Sequence, residues 1–590
     1  ADTVSKADGG TFDGNVTMAG TITVTGNADL NGDLDVDGTA NLDAVDVDGT
    51  VNFAADVTFA DGADLVTASA GNNNTRIGVN AGNSIASGGN YNVTVGDDAG
   101  TAITTGDSNT AVGFEALKTE DAHGLNTAIG YQALKAMDAG ADGYTTAIGY
   151  HAGLKITTGI RNTLNGAGAG DELLTGTDNV AIGAFALSTD TDGNKSTALG
   201  RNVLNAQNFT SSTDSYNTAV GYYAGTAITT GIENVLIGGV AGDALTDADF
   251  NIAIGVSTLT QDTKGSKTVA IGGGALNAQN FTSATDTHNV AVGFHAGNDV
   301  TTGIKNTMIG NLSGDKLTDA DLNTAVGYGS LSEDIQGSRS TAIGAFALEA
   351  QANSSATNAD NVAVGVNAGA LVTTGRKNTL IGTLAGDNIT TGTENTIVGY
   401  SCGNVVGGSE NIIVGSESSN SSTSVSNEVL IGRAATGSGA NTFTIGMGDT
   451  DVQINIDGSD TSWSATSDER LKDNINTLGI GLDFINELRP VSYKWKEKKD
   501  VDESLGRYYE KDSTDPCRGS GDVHYGLIAQ EVKTVIDKYS LTGNHHIWKE
   551  GVDGFQVVGI GNVMPILLKA VQELSAKNDA LEARIKTLEG

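Results

Sequence analysis

The residues Asn109-Thr110-Ala111-Val112-Gly113 carry the pattern that decides the fold, and the pattern returns along most of the chain. Close copies start at Asn126, Asn217 and Asn323. The closing glycines follow one another mostly every 17 residues, and one step of 21 in each set of four gives a longer period of 72 residues. A short period inside a longer one indicates tandem duplication of a structural unit.

Each repeat contains a β-prone run that is too short to bury a core by itself, so the repeats must stack on one another. Stacking places the Val or Ile of each repeat in an apolar ladder, with Asn and Gly at corners and turns. The strands of neighbouring repeats would lie about 4.8 Å apart. The sequence therefore predicts a mainly β, elongated β-solenoid or β-roll rod over residues 71–446. Whether each coil closes within one chain or packs against two others stays open.

The longer 21-residue steps predict loops that bulge from the rod, for example residues 206–214 and their near copy from residue 278. The loops carry Phe209 and Phe281, with Tyr216 and His288 nearby. These phenylalanines could contact a glycan or a partner fibre, or they could cap each loop against its own coil. The second interpretation is favoured, because insertions in a solenoid gather on one face whether or not they bind anything.

Residues 1–70 carry a shorter repeat in which Gly14, Gly20, Gly26 and Gly32 are six residues apart. Alternating apolar and polar residues between them predict short strands in a thin β shaft. Acidic runs such as residues 33–38 resemble calcium loops, but the twelfth position of an EF-hand loop would be Ala44 instead of Glu. A solvated acidic face is the favoured interpretation, and calcium binding stays open.

The charge and composition of the chain exclude several classes of function. The formal net charge is −38, which excludes a nucleic-acid-binding protein, because no basic surface neutralises phosphates. No apolar run approaches the 20 or so residues that a membrane-spanning helix needs, so we expect no membrane insertion. The two cysteines, Cys402 and Cys517, are far apart and predict no disulfide framework. We expect no cofactor and no metal site.

The composition changes at residue 463, since all three Trp and all three Pro lie beyond residue 462. We assign residues 447–466 to a linker, 467–562 to an α+β globular domain with helical patterns at 475–488 and 528–539, and 563–590 to a C-terminal helix. That helix has apolar residues at heptad spacing, with one polar residue that would set the register of a coiled coil. The seam is formed by Leu567, Val571, Leu574, Asn578, Leu581, Ile585 and Leu588.

Three motifs in the globular domain carry a family resemblance. They are residues 467–475 (SDERLKDNI), 488–495 (LRPVSYKW) and 525–532 (YGLIAQEV). In this order they resemble the intramolecular chaperone domain of endosialidases and phage tail fibres, over about residues 467–590. The resemblance implies a domain that trimerises, helps the preceding β stalk to fold as a homotrimer and then cuts itself off.

The same resemblance implies the residues of a self-cleavage site. The junction would lie between Thr466 and Ser467, and a serine–lysine pair would map onto Ser467 and Lys472. Asp468, Arg470, Gln530 and Glu531 would belong to the supporting motif. The enzymatic activity would be at most a single-turnover autoproteolysis, without turnover of an external substrate.

The chemistry of that pair has its own requirements. A serine hydroxyl needs a base to become a nucleophile at neutral pH. A lysine serves as that base only where burial or a neighbouring cation lowers its pKa, and Arg470 could contribute. The alternative for Ser467 is the N-cap of a helix, because Asp and Glu follow it in a first turn.

The rod resembles, less specifically, the heads of trimeric autotransporter adhesins, although their periods are nearer fourteen residues. Such adhesins need a C-terminal membrane β-barrel, which we do not expect here, because the C-terminal part resembles a chaperone domain with a coiled coil. The preferred function is therefore a structural and adhesive tail fibre of a phage virion that attaches to a host. The expected partners are two further copies of the chain, other virion tail proteins and a host receptor, with a glycan as one possibility. The alternative is a secreted bacterial fibre on an extracellular surface, held by a cell-surface anchor. A polysaccharide-degrading tailspike is disfavoured, because it would need paired carboxylates in a cleft.

Overall fold

The computed structural model describes residues 70–448, 450–458, 464–465, 468–519, 521–541, 545–551 and 554–590. The shaft predicted for residues 1–70 and its acidic runs therefore lie outside the described residues, except for residue 70. The chain divides into two compact units. One comprises Ala1–Ala345 and Ala352–Asn358, and the other comprises Phe346–Gln351 and Ala359–Gly590.

The described part of the first unit is a stack of coils, each with one three-residue strand. Neighbouring strands pair in parallel with equivalent residues side by side, as Ala111 with Ala128 and Val112 with Ile129. The strands are Thr75–Ile77, Val93–Val95, Thr110–Val112, Thr127–Ile129, Thr146–Ile148, Thr163–Asn165, Val180–Ile182, Thr197–Leu199, Thr218–Val220, Val235–Ile237, Ile252–Ile254, Val269–Ile271, Val290–Val292, Thr307–Ile309, Thr324–Val326 and Thr341–Ile343. The mainly β solenoid predicted from the repeat is confirmed.

The two faces of each strand have different compositions, because successive side chains point to opposite sides. The middle residue points into the coil, and Ala111, Ala128 and Ala147 are fully buried. The third residue points outward, and Ile129 and Ile148 each keep 37% of their surface exposed. The predicted Val/Ile ladder therefore lies on the outer surface, since only the middle side chain of a three-residue strand faces the interior.

A column of buried asparagines precedes the strands. The backbone N–H of Asn234 donates to Oδ1 of Asn217 at 3.0 Å, and the N–H of Asn251 donates to Oδ1 of Asn234 at 3.0 Å. The side-chain amide of Asn234 also donates to the carbonyl oxygen of Ala248 at 2.8 Å. A buried corner must satisfy its backbone groups, and these amides do so coil after coil.

The glycine that closes each strand is required by the close approach of adjacent coils. Gly149 has φ +139°, and a Cβ placed there would lie 2.4 Å from the carbonyl oxygen of Gly166 in the next coil. Residues with a side chain rarely adopt this backbone conformation. The recurring glycine of the sequence pattern thus follows from the spacing between two backbones.

Each long coil shares a buried polar pair with the coil before it, at a position that is apolar in most other coils. The seventh residue after the closing glycine is a buried aliphatic residue in ordinary coils, for example Ile156. In successive coils of each longer period this position is occupied by an acid and then a glutamine, such as Asp190 and Gln207. Nε2 of Gln207 donates to Asp190 at 2.7 Å, and the N–H of Phe209 donates to Asp190 at 3.0 Å. The acid therefore anchors the inserted loop of the next coil.

The inserted loops pair with the coil that precedes them, where the N–H of Asp192 donates to the carbonyl oxygen of Phe209 at 3.0 Å. Phe209 and Phe281 are only 6% and 7% exposed, which fits the favoured interpretation of a buried loop cap, although the loop is held by the preceding coil. Each loop adds one pair of parallel two-residue strands: Gly193–Asn194 with Thr213–Asp214, Gly265–Ser266 with Thr285–Asp286, and Gly337–Ser338 with Thr357–Asn358.

The second unit begins with further coils of the same kind. Their parallel strands are Val362–Val364, Thr379–Ile381, Thr396–Val398, Ile412–Val414, Val429–Arg433 and Thr442–Met447. Pairing then becomes antiparallel, as Thr450–Asn455 pairs with Thr442–Met447 and Ser464–Ala465 pairs with Thr450–Asn455. Residues 447–466, predicted as a linker, thus include two strands that continue the sheet.

The C-terminal part of the second unit mixes helices with two small antiparallel sheets. The helices are α1 (Leu482–Glu487), α2 (Ala529–Lys538) and α3 (Met564–Glu589), with 3₁₀ turns at Glu469–Leu471, Lys498–Asp500, Glu503–Tyr508 and Ile560–Val563. The sheets pair Val491–Tyr493 with His524–Gly526 and Trp548–Glu550 with Gln556–Val558.

The core of this part forms where the three helices meet. Phe484 of α1, Val532 and Ile536 of α2 and Ile566 of α3 belong to one buried cluster. The helix predicted over residues 475–488 is limited to α1, which starts after Gly481; glycine is a poor helix former, and Gly479 and Gly481 both fall within the predicted span.

Candidate functional site

The predicted self-cleavage site lies at the start of the C-terminal domain. Thr466 and Ser467, the two residues of the junction, lie outside the described residues. The description resumes at Asp468, which caps the 3₁₀ turn Glu469–Leu471 by accepting the N–H of Arg470 at 2.9 Å. The cap of this turn is therefore Asp468, one residue after Ser467, for which an N-cap was the alternative to the role of nucleophile.

Asp468 and Arg470 also form an ion pair, with Nη2 of Arg470 2.6 Å from Oδ2 of Asp468. The hydrogen bond from Arg470 holds the pKa of Asp468 below its ordinary value, and the positive charge of Lys472 acts in the same direction. The charge of Arg470, proposed as an aid to Lys472, is thus offset by a carboxylate beside it. Asp468 lies within the electrostatic reach of both cations.

Lys472 is exposed in the single chain. A lysine acts as a general base only when its neutral amine is accessible, and removal of water around the amine favours that form. The described residues of one chain do not bury Lys472. A functional base at this position would need cover from outside the single chain.

The second and third motifs contact one another. Arg489, next to the strand Val491–Tyr493, donates to Glu531 in the first turn of α2, with Nε–Oε2 at 3.0 Å and Nη2–Oε1 at 2.5 Å. The ion pair lowers the pKa of Glu531 through the hydrogen bond from Arg489. Sequence reasoning assigned Glu531 to the supporting motif but did not find its partner.

Gln530, the residue before Glu531, lines a groove of about 760 Å³. The groove is rich in aromatic residues, and its lining includes Trp495, Tyr508, Tyr525 and Phe555. Tyr525, at the start of the third motif, is 83% exposed.

The C-terminal helix has one packed side and one open side. Ile566 and Ala570 are buried against the domain, and the carboxylate of Glu573 accepts the N–H of Leu482 at 2.8 Å, which ties α3 to the start of α1. The apolar residues of the predicted seam are exposed by 42–84%. They are Leu567, Val571, Leu574, Leu581, Ile585 and Leu588. Asn578, the polar seam residue, donates to Glu582 of the same helix at 3.3 Å.

Two further properties bear on the predicted absence of a metal site and of membrane insertion. Among the described residues, one group has metal-ligand geometry: Glu120, Asp121 and His123, whose ligand atoms lie within 4.8 Å of one another. Glu120 already accepts the N–H groups of His123 and Ala139, so it anchors a loop as Asp190 does. Within the part of the chain that the structure describes, no helix is both long and apolar enough to cross a membrane.

Comparison with known proteins finds a family model that matches the segment beginning at the predicted junction. Residues 467–541 match the family model described as the chaperone of endosialidase. The match starts at Ser467 and contains all three motifs, so the resemblance drawn from those motifs is confirmed for this segment. No curated protein matches the chain. No solved structure matches it either.

The buried acids that anchor the loops could have been predicted from the sequence, although they were not. Asp190, Asp262 and Asp334 are 72 residues apart, and glutamines follow at 207, 279 and 351. A polar pair that recurs with the longer period at an otherwise apolar position predicts a buried loop anchor. The Arg489–Glu531 pair had no comparable signal, because the pair does not recur with a repeat.

Proposed function

We propose that this chain is a structural and adhesive fibre of a tailed phage virion that attaches to a host surface. The support is the combination of a repetitive β-solenoid with a C-terminal segment that matches the chaperone of endosialidase. In this proposal three copies assemble through the C-terminal domain, and the solenoid presents the surface that meets a receptor.

A chaperone domain would solve two problems in the assembly of the solenoids, namely incorrect register and aggregation. Consecutive coils are so similar that a chain could pair with another one coil out of register, and unpaired strand edges promote aggregation. A C-terminal domain that joins three chains first would align their solenoids before they fold. The exposed seam of α3, with Leu574 and Leu581 more than half exposed, offers the apolar surface for such a junction.

The proposed cleavage is a single-turnover reaction at the Thr466–Ser467 peptide bond. The hydroxyl oxygen of Ser467 attacks the carbonyl carbon of Thr466, Lys472 accepts the hydroxyl proton, and the C–N bond breaks as an ester forms. Lys472 returns the proton to the departing amine, and water then hydrolyses the ester to leave a carboxylate on Thr466. Because Lys472 is exposed in the single chain, the proposal requires that trimer assembly covers it.

Intact mass spectrometry of the purified full-length protein tests the cleavage. We expect a wild-type product that ends at Thr466, and uncut chains for Ser467→Ala and Lys472→Ala. The matched control is Lys499→Ala, which removes an exposed lysine that pairs with Glu497 in the same domain; this variant should cleave normally. An uncut wild type, or a cut Ser467→Ala, would contradict the serine–lysine site.

The alternative function is a secreted bacterial surface fibre with the same chaperone. Antibodies against the solenoid distinguish the two functions when they are applied to purified virions and to intact bacteria of the source. Labelling of the tail region of virions supports the phage fibre. Labelling of the bacterial surface in cultures without phage would replace it with the alternative.

A further inference from the structure

The outer face of the strand ladder is an exposed apolar stripe. We define the outer stripe as the first and third residues of the three-residue strands, from Val93–Val95 to Thr341–Ile343 in the first unit. The first position holds Thr, Val or Ile, and the third holds Val, Ile or Leu except at Asn165. Ile237 and Ile309 of the stripe are 37% and 41% exposed.

The outer stripe contains no charged residue, although 18% of the chain is charged and its net charge is −38. Charged side chains instead lie beside the stripe and pair along the solenoid. Arg161 contacts Asp178 at 2.6 Å, and Lys195 contacts Asp214 at 2.6 Å. The cores of protein–protein interfaces are depleted of charge in the same way. Since two acidic molecules repel each other, an uncharged surface of this kind can be buried between them at a lower electrostatic cost than the charged surfaces beside it.

We propose that the outer stripe is the surface through which copies of this chain pack against one another, parallel and in register. This inference rests on the proposed homotrimer and adds the face that the solenoids use. A partner that covers the stripe must repeat its side chains at the strand spacing of about 4.8 Å over many coils. Another copy of the chain meets that requirement, because it carries the same stripe at the same spacing.

The C-terminal helix also favours another copy of the chain as the partner, and it favours a parallel arrangement of the copies. The seam of α3 leaves Val571 and Ile585 more than half exposed, and a heptad seam is buried by another helix with the same heptads. A parallel, in-register helix bundle would require the chains that enter it to run parallel. Two separate apolar surfaces of one chain are therefore both covered by further copies of that chain.

The stacked aromatic residues on the solenoid do not compete with this assignment. Phe114, Tyr131 and Tyr150 stack in adjacent coils with centroids 5.4 Å apart, and His151 covers Tyr150 at 3.8 Å. The side chains of Phe114, Tyr131 and Tyr150 are 41%, 44% and 56% exposed. They lie outside the three-residue strands that form the outer stripe, so they belong to a separate surface.

Disulfide cross-linking tests the proposal on the full-length chain. Ile309→Cys places a thiol on the outer stripe, and Lys316→Cys is the control in the same coil, outside the stripe, where Lys316 pairs with Glu333. Both variants are made with Cys517→Ser, because Cys517 is only partly buried. Circular dichroism under reducing conditions verifies that each variant folds. We expect a covalent dimer band after mild oxidation of Ile309→Cys and little or none for Lys316→Cys.

Register is tested by co-expression of Ile309→Cys chains with Ile237→Cys chains. Peptide mapping should show links between two copies of residue 309 and between two copies of residue 237, without links between 309 and 237. A trimeric native mass without a link at residue 309, or with a link at 316 in its place, would overturn this inference and leave the trimer in place. Mixed 309–237 links would overturn the in-register arrangement. A monomeric native mass would overturn both the inference and the proposed trimer.

Discussion

Arg489 and Glu531, 42 residues apart in the chain, hold two sequence motifs together by a pair of hydrogen bonds at 3.0 and 2.5 Å. Arg489 lies just before the strand Val491–Tyr493, and Glu531 lies in the first turn of α2. The ion pair therefore fixes the start of the helix against the start of the strand. Its planar, two-pronged geometry requires arginine, because lysine carries a single point charge.

Replacement of Arg489 by Lys should lower the melting temperature of the C-terminal domain slightly, since one of the two hydrogen bonds is lost. The pair is exposed, so the difference from wild type should shrink at about 1 M salt, where the Debye length is about 3 Å. Tryptophan fluorescence reports this unfolding, because Trp495 and Trp548 lie in the C-terminal domain and no Trp precedes residue 463. Glu510→Gln, which breaks the separate Lys498–Glu510 pair, is the control for a general charge effect. Equal melting of Arg489→Lys and wild type at low salt would show that the pair does not hold the motifs together.

Replacement by alanine should lower the stability of the solenoid at one of two adjacent glycines and have little effect at the other. A Cβ at Gly238, where φ is +140°, would lie 2.3 Å from the carbonyl oxygen of Gly255, whereas a Cβ at Gly239 would meet nothing within 4 Å. Gly238→Ala should therefore destabilise the solenoid by roughly 1–3 kcal/mol or more through overpacking and backbone strain. Gly239→Ala should be close to neutral. Urea unfolding followed by far-UV circular dichroism measures both, and equal midpoints would contradict the close-packed glycine ladder.

Loss of one amide from the asparagine column should be costly. Asn234→Ala leaves the N–H of Asn251 and the carbonyl of Ala248 without their side-chain partner, and a buried unsatisfied group costs roughly 1–3 kcal/mol. Asn83→Ala is the matched control, because the side chain of Asn83 is exposed. Hydrogen exchange should show faster exchange in the coils next to residue 234 and not in distant ones. Unchanged exchange in those coils would assign the column a minor role.

The stability of the solenoid should depend on pH through Asp171. Burial raises the pKa of Asp171 from 3.8 to about 6, so the folded state binds a proton more tightly than the unfolded state does. The resulting stability is present below the unfolded pKa and is lost as pH rises through about 6. Asp171→Asn removes the buried charge, so it should be more stable than wild type near pH 7.

The gain from Asp171→Asn should shrink as pH falls to about 4, where the wild-type carboxyl is largely protonated in the folded state. Urea midpoints across this range measure the effect. Asp138→Asn, which changes an exposed carboxyl of the solenoid, serves as the control. A gain that does not vary with pH would exclude titration of Asp171 as its cause.

The repeat made most of the solenoid predictable, but it did not predict which side chains turn inward. The 17-residue period and the Asn and Gly positions predicted stacked coils, and the strands pair at equivalent residues. The three-residue strands then place Ala128 inside and Ile129 outside. Where a strand is this short, its start decides which residues face inward, and periodicity alone does not set that start to within one residue.

The C-terminal site was predictable as a set of motifs and less so as a geometry. The three motifs identified the segment that matches the chaperone of endosialidase over residues 467–541. The contacts of Arg470 with Asp468 and of Arg489 with Glu531 were not predictable, since each arginine had several acidic residues within reach in the sequence. The predicted junction at Thr466 and Ser467 stays a prediction.

The sequence by itself determined the repeat, the acidic charge and the identity of the C-terminal segment, because each of these is local or periodic. Only the tertiary structure decided that Asp190 is a buried anchor, that the side chain of Phe209 is buried and that the uncharged residues of the outer stripe face outward. These features depend on which coil lies beside which, and on the direction in which each side chain leaves a three-residue strand. The physical reason is that the burial of a residue depends on how several coils stack, and the sequence does not show that stacking directly.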